Sequence, residues 1–223
     1  MVRSNGRRLP EQRGLPVARE GYPFILGSAL AAAILGILGL YALAVLSLGV
    51  TFFVCFFFRD PERVIPEADG VVVSPADGKV LKVGMVNDPE AGADQMLKIS
   101  IFMSIFSVHV NRIPDTGRVT DIVYHPGKFF SANLDKASRN NERNALTLEI
   151  VGGRKVIVVQ VAGLIARRII CKVREGDRLN RGERFGMICF GSRLDVYLPS
   201  GTTPTVSEGD KVHAGSSILG RLS

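Results

Sequence analysis

Residues 173–198 read VREGDRLNRGERFGMICFGSRLDVYL. Glu175-Gly176-Asp177 makes an acidic turn, and the runs Arg184–Phe190 and Arg193–Leu198 are short, apolar and bounded by Gly182 and Gly191. Short runs between Gly and Asp turns predict antiparallel strands. The same texture spreads outward through Gly70–Ser74, Lys79–Val83, Leu97–Phe102, Arg118–Tyr124, Ala145–Ile150, Lys155–Val161 and Ile169–Val173. Helical periodicity is scarce after residue 60, so residues 59–223 are expected to form a mostly β, antiparallel barrel or sandwich.

A short internal repeat runs through this region. Val173-Arg174-Glu175-Gly176-Asp177-Arg178-Leu179 returns as Val206-Ser207-Glu208-Gly209-Asp210-Lys211-Val212. The repeat resembles the turns of biotinyl/lipoyl-type barrel-sandwich domains. It lacks their carrier lysine in a Met-Lys-Met setting, so it reads as architecture. The Asp-Gly pairs Asp69-Gly70 and Asp77-Gly78 are further turn signals.

The N-terminal part differs in character. Residues 1–20 are polar and basic and read as a disordered tail. Phe24–Phe58 then runs for 35 positions without a charge, where one membrane span needs about 20. Residues 21–58 are therefore expected to be a helical membrane segment, either one long tilted helix or a hairpin turning near Gly39. Basic residues on both flanks, Arg19 before and Arg59 and Arg63 after, favour a hairpin with both ends in the cytoplasm. The same argument puts the β domain on the cytoplasmic side of the cell membrane.

The net charge of +7 calls for an anionic partner. No aromatic-interleaved basic stripe is present, so a membrane surface is favoured over nucleic acid. Cys55, Cys171 and Cys189 have neither CxxC nor metal-ligand spacing, so no metal is expected and they read as buried free thiols.

Gly191-Ser192 lies between two expected strands. A serine hydroxyl after a glycine can attack the preceding carbonyl, but a Gly-Ser pair is most often an ordinary turn. Gly27-Ser28 and Gly215-Ser216 are equal rivals by local sequence.

Six motifs in order carry more. They are Phe57-Phe58-Arg59-Asp60-Pro61-Glu62-Arg63, Ser74-Pro75-Ala76-Asp77-Gly78-Lys79-Val80, the stretch from Ile101 through Ser107-Val108-His109-Val110-Asn111-Arg112-Ile113-Pro114, Tyr124-His125-Pro126-Gly127-Lys128-Phe129, Asn140-Asn141-Glu142-Arg143-Asn144, and Gly191-Ser192-Arg193. Over Phe56–Leu198 the chain resembles the phosphatidylserine decarboxylase family in its short bacterial and archaeal form. The resemblance implies self-cleavage between Gly191 and Ser192. That cut gives a β chain ending at Gly191 and an α chain beginning at Ser192, with Ser192 converted to a covalent pyruvoyl cofactor. It further implies decarboxylation of phosphatidylserine to phosphatidylethanolamine through a Schiff base, with the two chains forming a heterodimer; a higher oligomer stays open.

The resemblance also makes His109, which lies in the family's His motif, the expected acid/base residue, and Asp77, in its Asp-Gly turn, the expected helper of self-cleavage. Arg112 and Arg143 are candidates for the anionic parts of the substrate, beside Lys128, Arg139 and Arg193. Arg112 stands where longer relatives carry a second histidine, which leaves His109, Asn111 or Arg112 to orient the reacting groups. His125 reads as structural and His213 as a surface turn residue. Two other readings remain at this point: a pyruvoyl decarboxylase of a soluble amino acid, and a non-enzymatic barrel-sandwich module on a membrane anchor.

Overall fold

The structure is a computed structural model that describes residues 16–87, 95–131, 140–164, 168–189 and 191–223. Two compact units divide the chain, one ending at Glu62 and one running from Arg63 to Ser223.

In the first unit the uncharged run forms two helices, α1 (Tyr22–Ile37) and α2 (Tyr41–Phe57). Pro23 lies in the first turn of α1, where its missing N–H costs nothing. The break falls at Gly39, whose φ of 73° suits a residue without a Cβ. The helices pack antiparallel: Ser47 Oγ donates to Ser28 O at 3.0 Å, Thr51 Oγ1 donates to Ser28 Oγ at 3.0 Å, and the Phe24 and Phe58 rings stack at 5.7 Å. Their outer ends are zipped together, with Ala18 N donating to Phe58 O and Asp60 N to Pro16 O, both at 2.7 Å. Of the expected disordered tail, residues 1–15 lie outside the described residues, while Val17 pairs with Arg59. Leu26, Ile37, Leu46 and Phe52 are exposed along the helices. Arg19–Ile37 is long and apolar enough to cross a membrane, by length and composition.

The second unit is built from β1 (Val71–Val73), β2 (Gly78–Val86), β3 (Met96–Met103), β4 (Val110–Arg112), β5 (Gly117–His125), β6 (Arg143–Ile150), β7 (Lys155–Val161), β8 (Ile169–Cys171), β9 (Arg178–Leu179), β10 (Arg184–Ile188), β11 (Ser192–Pro199), β12 (Thr203–Pro204), β13 (Lys211–Val212) and β14 (Ile218–Arg221). Eight strands form one sheet in the order β13-β2-β3-β11-β7-β6-β5-β9, and two three-stranded sheets run β1-β14-β12 and β4-β10-β8. Every pairing between these strands is antiparallel, as the turn-rich sequence leads one to expect. Bulges in β2 after Val80 and in β5 after Val119 bend the large sheet.

Strand alternation sorts the large sheet into two faces. Ile99 and Ile101 of β3, Leu194 and Val196 of β11, Val158 of β7 and Leu146 of β6 enter the main core. Met96, Tyr197, Val159 and Ala145 form a second cluster. Both faces are buried, so truncating one of the large core side chains to Ala costs about 2–5 kcal/mol.

The repeat seen in the sequence has identical wiring in both copies. Gly176 N donates to Val119 O and Val119 N to Asp177 O, while Gly209 N donates to Val80 O and Val80 N to Asp210 O, all at 2.8–2.9 Å. Asp177 Oδ2 accepts from Arg174 N and Asp210 Oδ2 from Ser207 N, both at 2.8 Å. Each acidic turn thus caps a bulge, at β5 in one copy and β2 in the other. Pro75-Ala76-Asp77-Gly78-Lys79-Val80 corresponds in this pseudo-symmetry to Pro114-Asp115-Thr116-Gly117-Arg118-Val119. Gly78 and Gly117 answer each other physically. A Cβ on Gly78 would lie 2.2 Å from Phe102 O, and one on Gly117 2.6 Å from Glu149 O.

Candidate active site

Ser192 opens β11 and is completely buried. It pairs with Met103 of β3, and the next residue, Arg193, pairs with Val161 of β7. The alternation that sends Leu194, Val196 and Leu198 into the core sends Ser192 inward too. Asn144 of β6, Gln160 of β7 and Met103 of β3 occupy matching inward positions at the same end of their strands. The interior is therefore apolar along its length and polar at one end, and Ser192 sits at that end.

A chain of buried side-chain hydrogen bonds links these residues. Asn144 Nδ2 donates to Gln160 Oε1 at 3.2 Å, and Gln160 Nε2 donates to Asn111 Oδ1 at 2.9 Å. Asn111 Nδ2 then donates to Met103 Sδ at 3.7 Å, and Ser192 Oγ donates to the same sulfur at 3.5 Å. At the far end, burial pushes the Cys171 thiol up, against the opposing hydrogen bonds from the Val173 backbone and the Asn144 side chain.

Gly191 has φ 60°, in the left-handed region, and a Cβ there would meet nothing within 4 Å. Phe190 lies outside the described residues, as does Arg139. Burial separates the three Gly-Ser pairs that local sequence could not: Ser28 and Ser216 are partly exposed, and only Ser192 is buried.

Asp77 is gripped on three sides. Arg63 Nη2 reaches both carboxylate oxygens at 3.1 and 2.8 Å, Ala214 N donates to Oδ1 at 2.7 Å, and His213 Nδ1 lies 3.4 Å from Oδ2. His213 is thus exposed at 59%, as a surface residue should be, yet its ring turns to Asp77, which sequence reasoning missed. Asp77 precedes β2 and Ser192 opens β11, with β3 between them, so two strand spacings of about 4.8 Å separate their backbones. The partners of the carboxylate are Arg63, His213 and Ala214 rather than Ser192.

His109 is fully buried just before β4, two residues from Asn111, and its carbonyl accepts from Ile188 N at 3.4 Å. Arg112 is buried as well; its Nη1 donates to Gly182 O at 3.0 Å and its backbone N to Pro75 O at 2.9 Å. Arg143 opens β6 half-buried, opposite His125 and Val161. Arg193 lies on the other face from Ser192, with Nε 2.6 Å from Asp195 Oδ1 and Nη2 2.8 Å from Ser100 Oγ. Lys98 Nζ is 3.1 Å from Asp195 Oδ2. Burial alone would raise the Asp195 carboxyl, but Arg193 and Lys98 outweigh it and hold it below the ordinary carboxylate range.

Asn141 builds the neighbouring loop. It is fully buried, donates to Phe130 O and Ala162 O, and accepts from Phe130 N. Gly127 lets that loop close, since a Cβ there would lie 2.5 Å from the Asn141 carbonyl carbon.

Comparison with known proteins decides the family. The family model for phosphatidylserine decarboxylase matches residues 50–220. The chain belongs to the phosphatidylserine decarboxylase family. Among its relatives, a protein of Nitratidesulfovibrio vulgaris is 52% identical over 94% of this chain and 96% of its own length. One of Geobacter metallireducens is 52% identical over 93% and 97%, and one of Geotalea uraniireducens 50% identical over 94% and 98%. All three are named phosphatidylserine decarboxylase proenzymes, and their near-complete coverage makes this chain a short-form member of the family.

Proposed function

We propose that this chain is a proenzyme that cuts itself between Gly191 and Ser192, turns Ser192 into a pyruvoyl group, and decarboxylates phosphatidylserine to phosphatidylethanolamine. The observation that carries this reading is a buried serine at the polar end of an apolar interior, directly after a left-handed glycine. Its hydroxyl is held by a weak acceptor, the Met103 sulfur, and so is free to attack the Gly191 carbonyl. The attack forms an ester in place of the amide. Elimination then releases the chain ending at Gly191 and leaves dehydroalanine, and addition of one water to its imine tautomer expels ammonia and leaves the ketone.

The site fits the group that results. A pyruvoyl group is smaller than the serine it replaces, and the space beside Gly191 is open for the departing end. The 32-residue α chain, 192–223, keeps its place after the cut. Its β11 is paired on both sides, β13 pairs with β2 and β14 with β1. Leu194, Val196, Leu198 and Leu219 bury their side chains in the core, so α and β chains stay together as a heterodimer.

When present, the pyruvoyl ketone is the electron sink for the pair left behind as carbon dioxide departs. His109, buried just before β4, gives the proton that replaces the carboxylate. Asp77, fixed by Arg63 and the Ala214 N–H, assists self-cleavage from across β3. Arg112 and Arg143 hold the anionic parts of the substrate head; Arg112 Nη1 also donates to Gly182 O, which fixes the side chain.

The helices α1 and α2 lie in the bilayer as a hairpin, both ends emerging on the cytoplasmic side with Arg19 and Arg59. Two helices with outward leucines and phenylalanines are of no use to an enzyme of a soluble amino acid, which favours the lipid substrate. Ser192→Ala tests the reading: the variant should stay one uncut chain without decarboxylase activity, and retained activity refutes the cofactor assignment.

A further inference from the structure

We infer that Asn111 donates a hydrogen bond to the Ser192 oxygen as that oxygen leaves in the elimination step of self-cleavage; this rests on Ser192 being the cut-site residue. Three amides in series fix the direction in which Asn111 points. Asn144 Nδ2 feeds Gln160 Oε1, which turns Gln160 Nε2 towards Asn111 Oδ1. With its oxygen occupied, Asn111 presents Nδ2 to Met103 Sδ, where the Ser192 hydroxyl also converges. A thioether is a weak acceptor, so in the uncut chain the N–H is held at the sulfur that Ser192 also meets, by a bond that a better acceptor displaces.

The elimination creates such an acceptor. Once Ser192 Oγ is acylated by Gly191 it no longer carries a proton and ceases to donate to the sulfur. As the Cβ–Oγ bond breaks, its electron pair stays on Oγ, which becomes one oxygen of the Gly191 carboxylate. The Cα proton passes to solvent water, and the Cα–Cβ double bond forms. Negative charge thus appears on the atom that shares the Met103 sulfur with Asn111 Nδ2. Asn111, Gln160 and Ser192 are wholly buried, and Asn144 nearly so, in surroundings where a charge-assisted bond from a fixed donor is strongest. Gln160 and Asn144 act through Asn111 and are positioning residues. Placing three amides in an otherwise apolar interior costs desolvation, and this role accounts for their presence.

The test uses the full chain. Asn111→Asp keeps the shape and the bond from Gln160 but has no donor when ionised. Asn111→Leu has no donor at any pH and reaches the same stall if a buried carboxylate unfolds the chain. Each is sampled over time on a denaturing gel, with and without hydroxylamine, which cuts esters and spares amides. The expected result is self-cleavage about a hundredfold slower, with the uncut chain accumulating as an ester that hydroxylamine splits to expose a free Ser192 amine. In Asn111→Asp, cleavage should recover as the pH falls and the carboxyl regains its proton. Cleavage at the wild-type rate overturns the inference. So does an uncut chain resistant to hydroxylamine, because the loss would then precede the ester. Ser192→Ala, run alongside, separates the two readings: if it is still cut, the cut-site assignment fails rather than the role of Asn111.

Discussion

Gly191 offers a graded perturbation of the bond that is cut. Its φ of 60° costs an ordinary L-residue roughly 1–2 kcal/mol, and less for Asn, which visits this region more readily. A Cβ there meets nothing within 4 Å, so crowding adds nothing and the conformational cost stands alone. A side chain at 191 favours negative φ, which rotates the carbonyl between Gly191 and Ser192 away from the hydroxyl. If the left-handed backbone is the reacting one, 1–2 kcal/mol slows self-cleavage by a factor of roughly 5–30. Gly191→Ala should fall in that range, Gly191→Asn should be faster than Ala, and Gly191→Val, with its branched Cβ, should be slowest. The assay is a time course of chain cleavage on a denaturing gel, with melting temperature as the control for folding. Melting should drop by only about 2–8 °C in Gly191→Ala, since each kcal/mol moves a domain of this size by roughly 2–4 °C. Equal cleavage rates across Gly, Asn, Ala and Val would refute the claim that this backbone conformation presents the carbonyl.

Arg63→Met removes both charge-assisted contacts from Asp77; because both side chains are partly solvated, the loss is modest, about tenfold in self-cleavage, and Arg63→Lys should recover part of it. Wild-type cleavage in Arg63→Met would mean that Asp77 needs no such grip. Asp195 is held ionised below its ordinary 3.8 by Arg193 and Lys98 despite burial. Its stabilisation is therefore complete above about pH 4 and lost as pH falls through the lower folded value. Asp195→Asn, which leaves two cations without their anion, should destabilise at pH 7 by about 3–5 kcal/mol and flatten the acid limb of an unfolding-versus-pH curve; an unchanged acid limb contradicts this. Gly78→Ala drives a Cβ to 2.2 Å from Phe102 O and should cost about 3 kcal/mol or more by denaturant unfolding. Gly84→Ala, on the same strand with open space, should behave nearly as wild type.

The β architecture was legible because turn residues and apolar runs are local signals. Gly176 and Gly209 stand where the acidic turns need positive φ, and the two copies of the repeat proved to be wired alike. The uncharged run Phe24–Phe58 left one helix or two open, since length alone does not say where a helix breaks; Gly39 with φ 73° marks the place. The site was only partly legible. Gly191-Ser192 looks like any other Gly-Ser pair until strand pairing buries its serine and leaves Ser28 and Ser216 partly exposed. Gln160 is anonymous in Lys155–Val161, although a lone amide ending an apolar strand is a weak signal of a polar pole. His213 and Asp77 are 136 residues apart, and no sequence pattern joins them. Arg112 read as a candidate for anion binding, and no sequence signal showed that its Nη1 also reaches the Gly182 carbonyl 70 residues away.

The most direct measurement is the intact mass of the purified chain under denaturing conditions. The account predicts two species. One is a β chain ending at Gly191 with an ordinary carboxylate. The other is a 32-residue α chain lighter than its serine-started counterpart by one ammonia, with an N-terminus closed to amine reagents and a ketone open to carbonyl reagents. A single chain of 24.1 kDa that persists after folding, or an α chain that begins with a free amine, contradicts it.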